Sequence, residues 1–227
     1  MFKLRAMALT LSLAALGLLQ GAAKGGCGGN EPGVPGIDVG GPAGADWRVD
    51  YGDTLRVVVK KAGVVVADSN LSVVAGGTFT VDGVAVDLSN LCQRPDVACP
   101  HEVFPKTVRM TQPGDQRHLL YVTFNKEGPL GGVTSGTLLG NVDSAKDFRI
   151  ELGIQAAAVG TCGLLGVSYA EGSIQADASN PERGVKMVAS DLVTAYAGGC
   201  ILSGSGGSAG AGLTVELRVP FSADRLN

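Results

Sequence analysis

Leu213, Val215, Leu217, Val219 and Phe221 alternate with Thr214, Glu216, Arg218, Pro220 and Ser222. A period of two buries one face of a strand and wets the other; a helix would scatter the same residues around its axis. This end of the chain is therefore committed to a sheet. Pro220 has no N–H to give to a ladder, so it belongs at an edge, a bulge or the strand's end. Asp82-Gly83 is a second strong signal, because the pair accepts the positive φ angles of a type I′ turn at little steric cost. Thr78-Phe79-Thr80-Val81 and Val84-Ala85-Val86-Asp87-Leu88 alternate around it. Upstream, residues 54–60, 63–68 and 71–74 are short Val-rich runs broken by Lys61-Ala62 and Ser69-Asn70. Residues 54–88 thus predict a meander of four or five antiparallel strands.

The rest of the chain reads the same way with weaker signals. Residues 107–112 and 118–124 flank the turn Pro113-Gly114-Asp115. Residues 135–141, 148–154, 166–170 and 173–177 are further strands. Residues 185–196 fit a strand pair or a short helix. Glycine is abundant, at 35 residues, and helical periodicity is rare, which favours strands and tight turns. The expected fold is all-β: an antiparallel β-sandwich or small β-barrel built from meander hairpins, one domain over residues 46–227. Residues 28–45, GGNEPGVPGIDVGGPAGA, are dominated by Gly and Pro. With Cys27 they read as a flexible tether, 27–45.

Lys3 and Arg5 precede an apolar run over residues 6–19, which ends in small residues. That is the form of a secretory signal, and the run falls short of the about 20 residues a spanning helix needs. Residues 1–26 are read as a signal peptide. Gly21-Ala22-Ala23 offers one exit, with cleavage after Ala23. Gly25-Gly26-Cys27-Gly28 resembles the cleavage box of bacterial lipoproteins and offers the other. The resemblance implies a lipid on Cys27 and, with Gly28 behind it, passage to the outer membrane. Both exits stay open, so the protein is expected as an outer-membrane lipoprotein or as a periplasmic or secreted protein.

An exported chain meets an oxidising space, where cysteines pair. There are five, Cys27, Cys92, Cys99, Cys162 and Cys200, so one is spare. Cys27 is the natural spare at the signal boundary. The other four allow three connectivities. Cys92–Cys99 and Cys162–Cys200 are favoured, since the first pair closes a polar loop around Pro95. Loop entropy gives about 2.5 kcal/mol for the short loop and about 4 kcal/mol for the long one. The rival use is a metal held by Cys92, Cys99, His101 and His118, but the spacing matches no zinc motif.

Charge excludes one class of partner. Removing residues 1–26 takes away Lys3, Arg5 and Lys24 from 18 basic residues and none of the 21 acidic ones, leaving a net −6. No Lys/Arg cluster exists, so nucleic acid is not expected as a partner. No cofactor is expected either. Gly206-Gly207-Ser208-Ala209-Gly210 matches the nucleophile-elbow pattern, yet a strand follows it and no His lies beyond residue 118. His118 with Asp115 is the other imidazole-centred candidate. Asp46, Asp50 and Asp53 lie close enough in sequence to suggest calcium or, more simply, a solvated loop. Trp47 and Tyr51 read as fasteners of the first strand. The leading expectation is a non-enzymatic envelope lipoprotein, anchored in the membrane through lipid and binding an unknown protein or small apolar ligand. The alternatives are an envelope hydrolase using Ser208 or a His118-centred site, and a small outer-membrane β-barrel.

Overall fold

The computed structural model describes residues 36–81, 84–90, 105–127, 133–159, 162–197 and 213–226. All of them belong to one compact unit, Pro35–Asn227. The strands are β1 (Ala45–Tyr51), β2 (Thr54–Lys61), β3 (Val64–Ser72), β4 (Thr78–Val81), β5 (Val84–Asp87) and β6 (Thr107–Thr111). They continue as β7 (Leu119–Glu127), β8 (Val133–Val142), β9 (Asp147–Val159), β10 (Cys162–Ala176), β11 (Gly184–Ala197) and β12 (Leu213–Arg225). No helix occurs among the described residues. Eight strands close an antiparallel barrel in the order β1-β6-β7-β8-β9-β10-β11-β12, with β12 pairing back onto β1. The all-β antiparallel expectation holds, and of its two architectures the chain adopts the barrel.

Closure depends on the length of β12. Its first half, Leu213 to Arg218, pairs with Lys61 to Arg56 of β2; its second half, Phe221 to Arg225, pairs with Tyr51 to Trp47 of β1. β1 and β2 are therefore one interrupted strand laid along β12. At the interruption four residues, 52 to 55, face two, Val219 and Pro220. Such a bulge is the environment a strand proline requires. Gly52 N donates to the Pro220 carbonyl at 2.8 Å, and a Cβ on Gly52 would lie 2.9 Å from the proline ring.

On the far side of that interrupted strand, β3 pairs with β2 and β6 pairs with β1. The chain between them makes an excursion that includes the β4–β5 hairpin, in the register Val81↔Val84 that Asp82-Gly83 predicts. Its residues Val73, Phe79, Val81 and Leu88 are buried in the same apolar cluster as the barrel side chains. The β2–β3 turn falls at Ala62-Gly63, both at positive φ, one residue later than expected. Residues 63–68 and 71–74, read as two strands, merge into β3 up to Ser72.

Two other strands differ from expectation for identifiable reasons. Residues 166–170 and 173–177 are one strand, β10, whose pairing with β11 shifts register at Gly172. A Cβ there would lie 2.3 Å from Ser190 Oγ, so the glycine that looks like a break is a fit to a neighbour. Residues 185–196 form the single strand β11. Its alternation is lost because Leu192 and Thr194 are buried inside the barrel while Val193 is buried outside it. Across the sheet Val193 faces Tyr169 and Arg218, whose long side chains roof it.

The barrel interior is packed. Trp47, Leu55, Met110, Leu120, Ile150, Met187, Leu192 and Leu217 are its largest fully buried apolar side chains. Phe148 and Phe221 meet edge to face at 6.3 Å. Each such side chain contributes about 1.5–3 kcal/mol by leaving water.

The segment 27–45 was expected to be a tether, and from residue 36 onward it is part of the fold. Residues 36–44 strap one end of the barrel, with Ile37 4% and Val39 0% exposed. Asp38 N donates to Glu182 O, and Gly184 N to Asp38 O, at 2.6 and 2.7 Å. Gln112, buried beneath the strap, accepts from Val39 N at 2.8 Å and donates to the Ile37 and Arg117 carbonyls at 3.0 and 2.5 Å. Trp47 Nε1 donates to the Val39 carbonyl at 2.8 Å. Two apolar residues spaced by one in a Gly/Pro run carry no periodicity, so the strap left no sequence signal.

Candidate binding surface

Of the residues singled out from the sequence, Cys27, Cys92, Cys99, Cys200, His101 and Ser208 lie outside the described residues. Cys162 opens β10, opposite Val159 of β9. His118 is exposed at the end of the turn between β6 and β7, and its backbone carbonyl accepts from Val142 N at 2.8 Å. Among the described residues its imidazole has no serine or carboxylate partner. Asp115 is exposed in the same turn.

The three aspartates near Trp47 do not converge. Asp46 and Asp50 share the outer face of β1 but lie four residues apart, about 13 Å along a strand. Each has its own arginine: Arg109 Nη1 at 2.9 Å from Asp46, and Arg48 Nε at 3.6 Å from Asp50. Asp53 sits at the β1–β2 interruption. No group of three potential metal ligands forms among the described residues. Trp47 is fully buried, and burial pushes the Tyr51 hydroxyl well above its usual pKa, consistent with both fastening β1.

Two features of the outer wall have chemical content. The first is an ionic belt across β2, β12, β11, β10 and β9. Lys60 pairs with Glu216; Arg218 reaches Glu216 at 3.1 Å, Glu171 at 3.0 Å and Asp191 at 3.3 Å. Arg149 joins Glu171 at 3.8 Å and Glu151 at 2.6 Å, and lies 3.7 Å over the Tyr169 ring. Burial by itself lowers the Arg218 pKa; Glu216 and Glu171 outweigh it and carry the guanidinium above its usual value. The belt arises because these residues share the outward face at neighbouring rungs of adjacent strands, where cross-strand pairs meet. Beyond it, Leu139, Ile154 and Leu165 expose apolar side chains on β8, β9 and β10.

The second is a cleft of about 670 Å³ where β6 begins and β7 and β8 continue past it. Its lining is Asp46, Thr107, Val108, Arg109, Thr123, Phe124, Gly136 and Thr137. One row of the sheet supplies four of these: Asp46 faces Arg109, Arg109 faces Thr123, and Thr123 faces Thr137. Arg109 donates from Nη1 to Asp46 at 2.9 Å and from Nη2 to the Ala43 carbonyl at 2.7 Å. The Phe124 ring lies against Gly136, where a Cβ would come within 2.9 Å of it. Thr123 Oγ1 donates to the Arg109 carbonyl at 3.3 Å, whereas the Thr107 and Thr137 hydroxyls have no partner among the described residues. None of the cleft residues except Asp46 stood out in the sequence. Threonine on a strand's wet face is ordinary, and only the row across four strands makes these a set.

Comparison with protein-family models, with curated proteins and with solved structures gave no match. The fold and the outer-wall cleft therefore define the chain only as an antiparallel barrel with a polar lateral concavity.

Proposed function

We propose that this protein is an exported envelope lipoprotein whose barrel is a binding module, with ligand contacts on the lateral cleft. The observation that carries the binding assignment is the contrast between a barrel packed with side chains and a polar concavity of ligand-sized volume in its wall. A packed interior leaves less room for the apolar occupant that a hollow barrel invites. The ionic belt weighs against a membrane-spanning barrel, because a charge on a lipid-facing strand costs about 2–4 kcal/mol at mid-bilayer. That the His118 imidazole meets no serine or carboxylate among the described residues weighs against a hydrolase centred there.

Anchoring at Cys27 fits the position of the strap. Residue 36 enters the fold at the strapped end of the barrel, nine residues after Cys27. Nine residues reach at most about 30 Å. A lipid on Cys27 would hold residue 36 within that reach of the bilayer. The favoured Cys162–Cys200 pairing also has support. β10 and β11 run antiparallel with Leu165 opposite Ala197, and in the sequence Cys162 lies three residues before Leu165 and Cys200 three residues after Ala197. Cys92–Cys99 is proposed for the remaining pair.

Intact mass of the membrane-extracted protein tests this reading. The expected species begins at Cys27, carries acyl chains, and gains alkyl groups at four cysteines only after reduction. A species that retains residues 1–26, with every thiol alkylated in the native state, refutes it.

A further inference from the structure

We infer that the free edge of β9 is a contact between two copies of this chain, paired strand to strand about a twofold axis at Ala156. Neither the lipid anchor nor the lateral cleft enters it. β8 and β9 share a ladder only from Val142↔Phe148 to Leu139↔Glu151. Just beyond Glu151 a bulge at Gly153 shifts the β9–β10 register. From there β9 runs on to Val159 with β10 on one side and, among the described residues, no strand on the other. Residues 154–159 keep an unbroken register with β10, from Ile154↔Val167 to Val159↔Cys162. Their N–H and C=O groups on the open side are a template for another strand.

Two other open edges are blunted against such pairing. β3, the last strand of the sheet, carries the exposed Asp68 and a bulge at Val66. The end of β7 beyond Thr123, where β6 no longer pairs, carries Lys126 and Glu127. By contrast, residues 152–170 contain no charged residue and no proline. Ile154, at the open edge itself, is 71% exposed.

The segment also matches itself. Laid antiparallel on a second copy about Ala156, it sets Ile154 opposite Ala158, Gln155 opposite Ala157 and Gly153 opposite Val159. Each larger residue thus meets alanine or glycine, and no like charges face one another. A twofold contact of this kind is self-complementary and closes at two copies. A bilayer offers nothing to pair with the strand's N–H and C=O groups, so lipid suits the edge poorly. A foreign peptide added to an edge is selected by pockets for alternate side chains. The outward neighbours on β10, Leu165 and Val167, are aliphatic and offer no charge to select one.

The experiment uses the mature chain, residues 27–227, with Cys27→Ser so that neither lipid nor a spare thiol contributes. Sedimentation equilibrium covers about 1 to 100 μM, because a contact of one strand pair is small and its dissociation constant belongs in the micromolar range. A monomer–dimer equilibrium is expected. Ala156→Lys and Ala156→Glu each set like charges opposite one another at the axis; each is expected to raise the dissociation constant at least about tenfold with Tm unchanged. An equimolar mixture of the two variants is expected to restore the dimer, since unlike charges then meet. Restoration requires a twofold at this position and separates pairing from damage to the fold. A chain that stays monomeric at about 100 μM overturns the inference, and so does a dimer indifferent to both variants. Loss of the dimer in both variants without restoration on mixing overturns self-pairing. Monomer that floats with phosphatidylcholine vesicles, and ceases to in either variant, overturns it in favour of lipid. A cross-link between Ala156→Cys and Ser135→Cys chains, absent between two Ala156→Cys chains, overturns it in favour of β8 as the partner strand.

Discussion

Replacing Gln112 with methionine tests whether the strap is part of the fold. Methionine has nearly the length and volume of glutamine, so packing is conserved and the hydrogen bonds alone are removed. Three partners lose their mate: Val39 N, the Ile37 carbonyl and the Arg117 carbonyl. The first two are buried, and an unpaired buried group costs about 1–3 kcal/mol. The third is partly wet and adds little. The expected loss is about 3 kcal/mol, which in a domain of this size lowers Tm by about 6–12 °C. Trp47 is the chain's single tryptophan, and its indole donates to the Val39 carbonyl directly under the strap. Urea titration followed by tryptophan emission and by far-ultraviolet circular dichroism separates strap from barrel. In Gln112→Met the emission is expected to shift red at lower urea than the strand signal is lost, as for a locally opening unit. Gln112→Glu adds a pH signature. Its carboxyl would face two carbonyls, which favours the protonated form and raises its folded pKa. The stability it retains is then present below the usual carboxylate range and is lost as pH rises. A Gln112→Met protein within about 1 kcal/mol of wild type, with coincident transitions, refutes the strap argument.

Arg218→Leu leaves Glu216, Glu171 and Asp191 facing one another without their shared cation. Breaking a buried pair costs about 3–5 kcal/mol, and partial exposure of this cluster reduces the expectation to about 1–3 kcal/mol at neutral pH. Protonation relieves the repulsion among the three facing carboxylates, so the deficit in Tm should narrow as pH falls toward 4; a deficit that widens on acidification contradicts the reading. Gly40→Ala places a Cβ 2.0 Å from the Met110 carbonyl oxygen, a backbone atom that cannot swing away. A loss of about 2–4 kcal/mol is expected in chemical denaturation, and an unchanged midpoint would show the approach to be wrong. Cys162→Ser and Cys200→Ser should each cost about 4 kcal/mol and should not add when combined. Peptide mapping without reduction should recover one crosslinked species holding both residues; a Cys92–Cys162 species would exclude the pairing.

What was legible in the sequence followed from local rules. The alternation of residues 213–222 gave β12, and Asp82-Gly83 gave the β4–β5 register, because a strand's period and a tight turn's φ angles are properties of a few neighbouring residues. The missing N–H of Pro220 limited it to an edge, a bulge or a strand's end, and the bulge is where it sits. Gly172 looked like the end of one strand and is the contact point of a longer one, since what presses on it, Ser190, comes from β11. Val193 broke the alternation of β11 because cover for its outer face is supplied by side chains of β10 and β12.

The chain's own chemistry, residue by residue, determined that it would build antiparallel sheet and where several of its turns would fall. Whether that sheet stacked as a sandwich or closed was decided by a contact between its two ends, β1 and β12, which are about 170 residues apart in sequence and carry no mark of their partnership. The same holds for the strap and for the cleft. Ile37 and Val39 are buried only because Gln112 and the turn before Gly184 accept them, and the threonine row exists only where three later strands align beside β1. Local pattern reports which face of a strand is wet; only assembly reports what stands next to it.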